Sequence, residues 1–276
     1  MKEYKNYIFD LYGTLVDIET DEYSDNLWRV MADNLNAYGT NWEVNALKKT
    51  FFEFDNQERE RIKKILIKEK MFSESKELLT EVNIERVFAR VLIEAPEFHN
   101  SEMKIDGKTL KEYREDYKAG KDVISEISES EWTALMAVNF RTVSRKYIRL
   151  FEDTCSVLEE LNNNGKNVYL LSNALRVFTL PEMENLGILK YFKKIRMSSD
   201  YEIMKPQKEF LEDLIKEEGL KKEETVMVGN EMESDMKIAH ICGIDGIMHN
   251  TMNYTKKEIN KSPYNFEVIN TLGGLL

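Results

Sequence analysis

Four short stretches of this chain place acids, hydroxyls, an amide and a lysine where apolar runs stop. In Ile8-Phe9-Asp10-Leu11-Tyr12-Gly13-Thr14-Leu15-Val16-Asp17 an apolar strand ends on a carboxylate, and Gly13 lets the backbone turn tightly around whatever that carboxylate faces. Val168-Tyr169-Leu170-Leu171-Ser172-Asn173-Ala174 is a second apolar strand, ending on a hydroxyl. Ser198-Ser199-Asp200 precedes Lys205-Pro206, and Val226-Met227-Val228-Gly229-Asn230-Glu231-Met232-Glu233-Ser234-Asp235 runs from a strand into an acidic turn. In open α/β sheets the C-terminal strand edge is where ligands bind, so these groups are candidates for one site.

Taken singly, each stretch has a bland explanation: an Asp turn, a capping Thr, a strand-terminal Ser, a surface Arg at Arg176. Taken in order, the first resembles the opening motif of the haloacid dehalogenase-like hydrolase superfamily, and the other three resemble its remaining motifs. The resemblance covers the two ends of the chain and leaves the middle unmatched. It implies that Asp10 is a nucleophile, that Thr14 and Ser172 hold the substrate or intermediate, and that Lys205 offsets the crowded negative charge. Asn173 follows Ser172, and Arg176, within one further turn, could hold an anionic substrate; both are expected to bind substrate. Magnesium is the implied cofactor, because hard oxygen ligands suit it; Asp10, the Tyr12 carbonyl, Asn230, Glu231 and Asp235 are the candidates.

Two departures from the family pattern matter. Family phosphatases carry a second Asp where this chain has Tyr12, and that Asp protonates the leaving alkoxide and then activates water. A tyrosine, with an unperturbed pKa near ~10, is a poor substitute. The family's haloacid dehalogenases carry Tyr there, but the arginine they place early in the helical insertion is absent from Tyr38-Gly39-Thr40-Asn41-Trp42. In the fourth motif, Asn230 and Glu231 stand where the two common spacings put an Asp. Three readings follow in order: a magnesium-dependent phosphatase for a small phosphorylated metabolite, a 2-haloacid dehalogenase, and a non-catalytic or regulatory protein of the same fold.

The elements that must position these residues are also legible. Asn6 to Phe9 reads as a strand, and from about Asp17 to about Leu150 apolar residues recur at helical spacing. Leu27, Val30, Met31, Leu35 and Tyr38 make a helix face that Gly39 ends. Further helices are expected over Glu43 to Phe54, Glu58 to Lys70, around Val87 to Val91, Leu110 to Lys118 and Glu131 to Arg149. The mixed charges from Gln57 to Lys70 read as a solvated face. Beyond Phe151, strands (Val168–Leu171, Lys194–Met197, Thr225–Val228, Ile244–Met248) alternate with helices, one of them opening at Pro206. The expectation is a doubly wound α/β core of parallel strands, Rossmann-like, from residues 1–17 and 151–276, with an all-α cap inserted over 18–150.

With 276 residues, 42% of them hydrophobic, the chain can build a sizeable core. A net charge of −11 disfavours a nucleic-acid partner. No apolar run reaches spanning length and no signal peptide fits before the first strand, so the expected location is the cytoplasm, the expected partner a small anionic substrate, and no membrane partner is expected. Cys155 and Cys242 read as buried small hydrophobes. His99, His240 and His249 lack partners at ligand spacing and are assigned no role.

Overall fold

The computed structural model describes residues 2–69, 72 and 78–276. Asn6–Phe9 (β1) is buried at every position, the environment expected of a central parallel strand covered on both faces. Five more strands join it: Asn167–Ser172 (β2), Lys194–Met197 (β3), Thr225–Gly229 (β4), Asp245–His249 (β5) and Glu267–Ile269 (β6). All neighbours are parallel, in the order β3-β2-β1-β4-β5-β6. This is the doubly wound order, and it reverses between β1 and β4, the switch point outside which such sheets open a crevice. Phe9 stands opposite Leu170 on one side and Val228 on the other. The C-terminal ends of these three parallel strands therefore lie along one edge of the sheet.

The chain divides into two units, one comprising Met1–Ile18, Ser75–Glu81 and Tyr147–Leu276, the other Glu19–Glu74 and Val82–Lys146. The first unit holds the sheet and an apolar core that includes Tyr7, Phe9, Leu158, Leu170, Val226, Val228 and Ile247. Its division differs from the expected one at residues 78–81. There Leu78 and Thr80 are buried, Thr80 bridges Ile203, Glu81 N donates to the Glu202 carbonyl (3.0 Å) and Met204 N to the Leu79 carbonyl (3.4 Å). A sequence pattern of helical spacing has no means of announcing so short a return to the sheet unit.

The second unit is helical: Asp25–Ala37, Val44–Lys68, Ile84–Ile93, Leu110–Lys118, Val123–Ser128 and Glu131–Ser144, with one short hairpin, Lys104–Ile105 against Lys108–Thr109. Ser24, Thr109 and Ser130 cap three of these helices by accepting from backbone N–H groups of the first turn. Trp28, Phe51, Phe88 and Phe140 pack edge-on, tilted and stacked in its core, with ring centroids 5.1–6.0 Å apart. Buried Glu58 lies among Arg61 (2.7 Å), Arg86 (3.1 Å) and Arg90 (3.4 Å). Arg86 also donates to Ser125, and Arg90 to Glu94 and Gln57.

Several boundaries differ from expectation. The helices expected over Glu43–Phe54 and Glu58–Lys70 are one continuous helix, because nothing between them breaks the helical backbone; Lys70 lies outside the described residues. The last helix of the insertion stops at Ser144, and Arg145–Leu150 is instead a strand paired with Val16–Thr20. Only from Tyr147 to Leu150 do exposed and half-buried residues alternate, a period-two stretch too short and too rich in lysine and arginine around it to read as a strand. Pro206 does not open a helix: the helix runs from Lys208 to Glu217 with Gln207 as its cap, and the Lys205-Pro206 peptide is cis. Strand β6 went unrecognised, being three residues long and mostly exposed. Cys242 is buried, its thiol pushed up to about 12 by burial, whereas Cys155 is only half-buried. Among the described residues no helix is long and apolar enough to cross a membrane.

Candidate active site

The edge of the sheet at the β1/β4 switch point opens into a cleft of about 140 Å³ lined by Asp10, Tyr12, Ser172, Asn173, Lys205, Asn230, Glu231, Ser234 and Asp235. All of these residues belong to the sheet unit. The volume is well below the ~300–1,000 Å³ of ordinary ligand pockets, so it suits a reacting group rather than a whole metabolite.

Lys205 is the centre of the arrangement. Only 2% exposed, its Nζ donates to Asp10 Oδ1 (2.6 Å) and Asp235 Oδ1 (2.7 Å). Burial alone would lower its pKa, but the two carboxylates outweigh that and raise it, so the ammonium stays charged. For Asp10, burial pushes the pKa up and the Asp235 charge adds to that, against the pull of Lys205 and Ser172. Ser172 Oγ also donates to Asp10 Oδ1 (3.0 Å). Among the described residues the other oxygen, Oδ2, has only a long 3.3 Å contact with the Thr14 hydroxyl, which is shared with Asn230 Oδ1 at the same distance. Oδ2 is therefore the oxygen with lone pairs to spare.

Each group is held by local backbone logic. Asp10 N donates to the Val228 carbonyl (2.9 Å), tying the end of β1 to β4. Gly13 adopts φ 81°, and a Cβ there would run into the Asn230 side chain. A Cβ on Gly229 would meet the Asp235 carboxylate, so both glycines are required for the two turns to close on each other. Asp235 sits in a π-helical turn, Met232–Met236, and its Oδ2 accepts from the Asn230 and Glu231 amides (3.0 Å each).

Not every expected site residue faces the cleft. Asn173 lines it, but its amide clamps the Lys205 backbone, accepting from Lys205 N (2.8 Å) and donating to Lys205 O (3.2 Å). Arg176 is absent from the lining and makes a two-pronged ion pair with Asp200 (2.7 and 2.5 Å). The Tyr12 hydroxyl turns toward the Arg176–Asn185 helix, donating to Glu182 Oε2 (2.5 Å) and lying 3.0 Å from Thr179 Oγ1.

Sequence reasoning missed three kinds of support. Glu182 is buried although it reads as a surface residue; its i,i+3 spacing from Thr179 on one helix face was the available signal. Glu81 accepts from Ser198 Oγ (2.9 Å), which in turn accepts from Ala174 N (2.8 Å), bracing the loop after Ser172; no local pattern links residues 117 positions apart. His249 is not idle: its Nδ1 lies 3.0 Å from the Thr14 carbonyl, and Thr251 Oγ1 donates to the Gly13 carbonyl (2.5 Å).

A family model described as haloacid dehalogenase-like hydrolase matches residues 4–243. The chain belongs to that family. Among curated relatives of this hydrolase, a glyceraldehyde 3-phosphate phosphatase of Methanothermobacter thermautotrophicus is 28% identical over 43% of this chain and 52% of its own. The Methanocaldococcus jannaschii protein of the same name is 27% identical over 50% and 60%, and the pyrimidine 5'-nucleotidase PynA of Streptococcus pneumoniae 24% over 40% and 48%. The chain thus spans about half the length of the curated relatives it matches. Solved structures of similar fold include a predicted phosphoglycolate phosphatase of Haemophilus somnus, 14% identical with TM-score 0.52 over 100% of this chain and 97% of that one. A dehalogenase, also 14% identical, gives 0.51 over 100% and 96%.

Whether this hydrolase's residues suit a magnesium ion can be judged from their charges. Asp10, Glu231 and Asp235 bring three carboxylates to the cleft against the single ammonium of Lys205. Glu231 stands exposed at its rim, its pKa raised by partial enclosure and then by the charges of Asp235 and Asp10. Among the described residues no three acid, histidine or cysteine side chains converge as a ready-made cage. Magnesium does not require one, since it keeps several waters and takes one or two carboxylates with substrate oxygens. The donor set fits: Asp10 and Glu231 bring carboxylates to the cleft, whereas Asp235 Oδ2 is filled by two amides.

Proposed function

We propose that this hydrolase is a magnesium-dependent phosphatase of a small phosphorylated metabolite, with Asp10 as its nucleophile. The observation that carries the reading is Lys205, buried between Asp10 and Asp235 in a cleft that still holds an excess of carboxylate. A site for an anionic phosphoryl group needs positive charge added, and a divalent cation held by Asp10, the Tyr12 carbonyl and Glu231 or Asn230 would supply it. The names of the relatives, glyceraldehyde 3-phosphate phosphatase and pyrimidine 5'-nucleotidase, support a phosphorylated substrate.

Asp10 Oδ1 is anchored by Lys205 and Ser172, leaving Oδ2 to attack phosphorus. The Oδ2–P bond forms as the P–O bond to the leaving group breaks, its electron pair departing with that oxygen. Water then attacks the aspartyl phosphate, releasing phosphate and restoring the carboxylate. Ser172 and Thr14 hold the nucleophile by donating to its two oxygens, Thr14 from outside the lining of the cleft, and the charge of Lys205 favours the ionised form of Asp10. Asn173 serves this scheme by fixing Lys205. Arg176, paired with Asp200, is given no substrate role.

Tyr12 favours a second reading, a metal-free 2-haloacid dehalogenase. One experiment separates the two: phosphate release from p-nitrophenyl phosphate with magnesium, against halide release from 2-chloropropionate in chelator. Phosphate release that chelator abolishes and Asp10→Asn removes is the expected outcome. Halide release in chelator would overturn it, and silence in both assays would leave a protein that keeps the fold without turnover.

A further inference from the structure

A phosphatase must do something with the electron pair that departs on the leaving oxygen, and the proton donors of this cleft are largely engaged by the protein's own side chains. The Tyr12 hydroxyl gives its one proton to the buried Glu182 carboxylate at 2.5 Å. That carboxylate belongs to the Arg176–Asn185 helix, so the hydroxyl is turned toward it. Ser172 donates to Asp10, and Lys205 gives two of its three ammonium protons to Asp10 and Asp235. The Asn173 amide is spent on the Lys205 backbone. The remaining lining groups are the side chains of Asn230 and Ser234, which are not acids, and Glu231, a rim carboxylate that is one of the two alternative holders of the cation.

We infer that the substrate class is phosphates whose leaving group departs as a stable anion, namely acyl, enol or aryl phosphates, rather than alkyl phosphates. The inference rests on the phosphatase reading and deepens it. Asp10 Oδ2 bonds to phosphorus while the P–O bond breaks, and the pair leaves on a carboxylate, enolate or phenolate that needs no proton in the transition state. In the second step water's oxygen bonds to phosphorus, the Asp10–P bond breaks, and the water's protons pass to phosphate and solvent. The Tyr12–Glu182 pair is on this account a specificity device: it keeps the ring beside the nucleophile and withholds its proton.

The test uses the wild-type protein with magnesium and a series of substituted phenyl phosphates, together with acetyl phosphate and the alkyl ester glyceraldehyde 3-phosphate. The expected result is a kcat/KM that falls steeply as the leaving-group pKa rises. Acetyl phosphate should exceed glyceraldehyde 3-phosphate by ~10²–10⁴-fold, the usual worth of a general acid. Because kcat/KM reports the steps up to aspartyl phosphate formation, its solvent deuterium isotope effect should stay near unity for the phenyl esters. A flat dependence, or glyceraldehyde 3-phosphate turned over as well as acetyl phosphate, would overturn the inference while leaving the phosphatase reading intact. A clear normal isotope effect would do the same. No phosphate release from any member of the series would instead overturn the phosphatase reading and this inference with it.

Discussion

At the edge of the sheet one buried ammonium, Lys205, lies between two carboxylates; in the helical unit one buried carboxylate, Glu58, lies among three guanidinium groups. The two clusters are near mirror images in charge, yet they differ in what is left over. Around Glu58 the surplus positive charge is answered nearby: Arg90 reaches Glu94 and Gln57, Arg86 reaches Ser125, and Arg90 also stacks on the Phe54 ring at 3.9 Å. Burial would raise the Glu58 pKa, but hydrogen bonds and charge from Arg61 and Arg86 win and lower it. At the sheet edge the surplus is unanswered among the described residues, and the carboxyls of Asp10 and Glu231 are held above their ordinary range. A cluster that balances its own charge serves stability; one that does not is prepared for something that arrives from outside.

The sharpest way to break this comparison is to remove each central charge in turn. Lys205→Met leaves Asp10 and Asp235 facing each other without a cation, and should cost about 3–5 kcal/mol of unfolding free energy by urea titration. It should also lower kcat of the proposed phosphatase reaction by ~10²–10³-fold in the protein that remains folded. If stability were unchanged, the pair would not be the buried ion cluster described.

Glu58→Gln is the counterpart, and it should cost about 1–3 kcal/mol while turnover per folded molecule is retained. Its pH dependence has a definite sign. A carboxyl whose pKa is lower folded than unfolded contributes fully above the unfolded value, 4.5, and loses that contribution as pH falls through the folded value. The stability gap between wild type and variant should therefore be full at neutral pH and close in acid. A gap that widens in acid would contradict the assignment.

The smallest effect belongs to Arg61→Met, because Arg61 is 37% exposed and two arginines remain on Glu58. The loss should be at most about 1 kcal/mol and should shrink further in high salt. A larger, salt-insensitive loss would mean that Arg61 anchors the cluster.

The sequence made one half of this contrast legible and not the other. Asp10, Ser172, Lys205, Asn230, Glu231 and Asp235 each follow an apolar strand or stand at a fixed place after one, so strand ends announce them, and the structure brings them into one cleft. Glu58 sits in a run of alternating charges that reads as a solvated face, because periodicity cannot tell an exposed glutamate from one that three arginines cover. The same limit hid Glu182, whose partner Tyr12 is 170 positions away, and Glu81, whose partner Ser198 is 117 away. The fold was easier: buried parallel strands are apolar throughout, whereas the short, amphipathic strands Arg145–Leu150 and Glu267–Ile269 give no such signal.

The residues 78–81 carry a consequence for where this protein can be cut. The chain leaves the sheet unit by Val16–Thr20 and returns by Arg145–Leu150, which invites the view that everything between could be excised and the ends rejoined as a minimal hydrolase. Such an excision would also take away Leu79, Thr80 and Glu81. Ile203 and Met204, the two residues that lead into Lys205, would lose their pairing partners, and Ser198 would lose its carboxylate. The smallest autonomous form of the sheet unit is accordingly assembled from three separate stretches of chain, and domain transplantation between relatives would have to carry the middle one along.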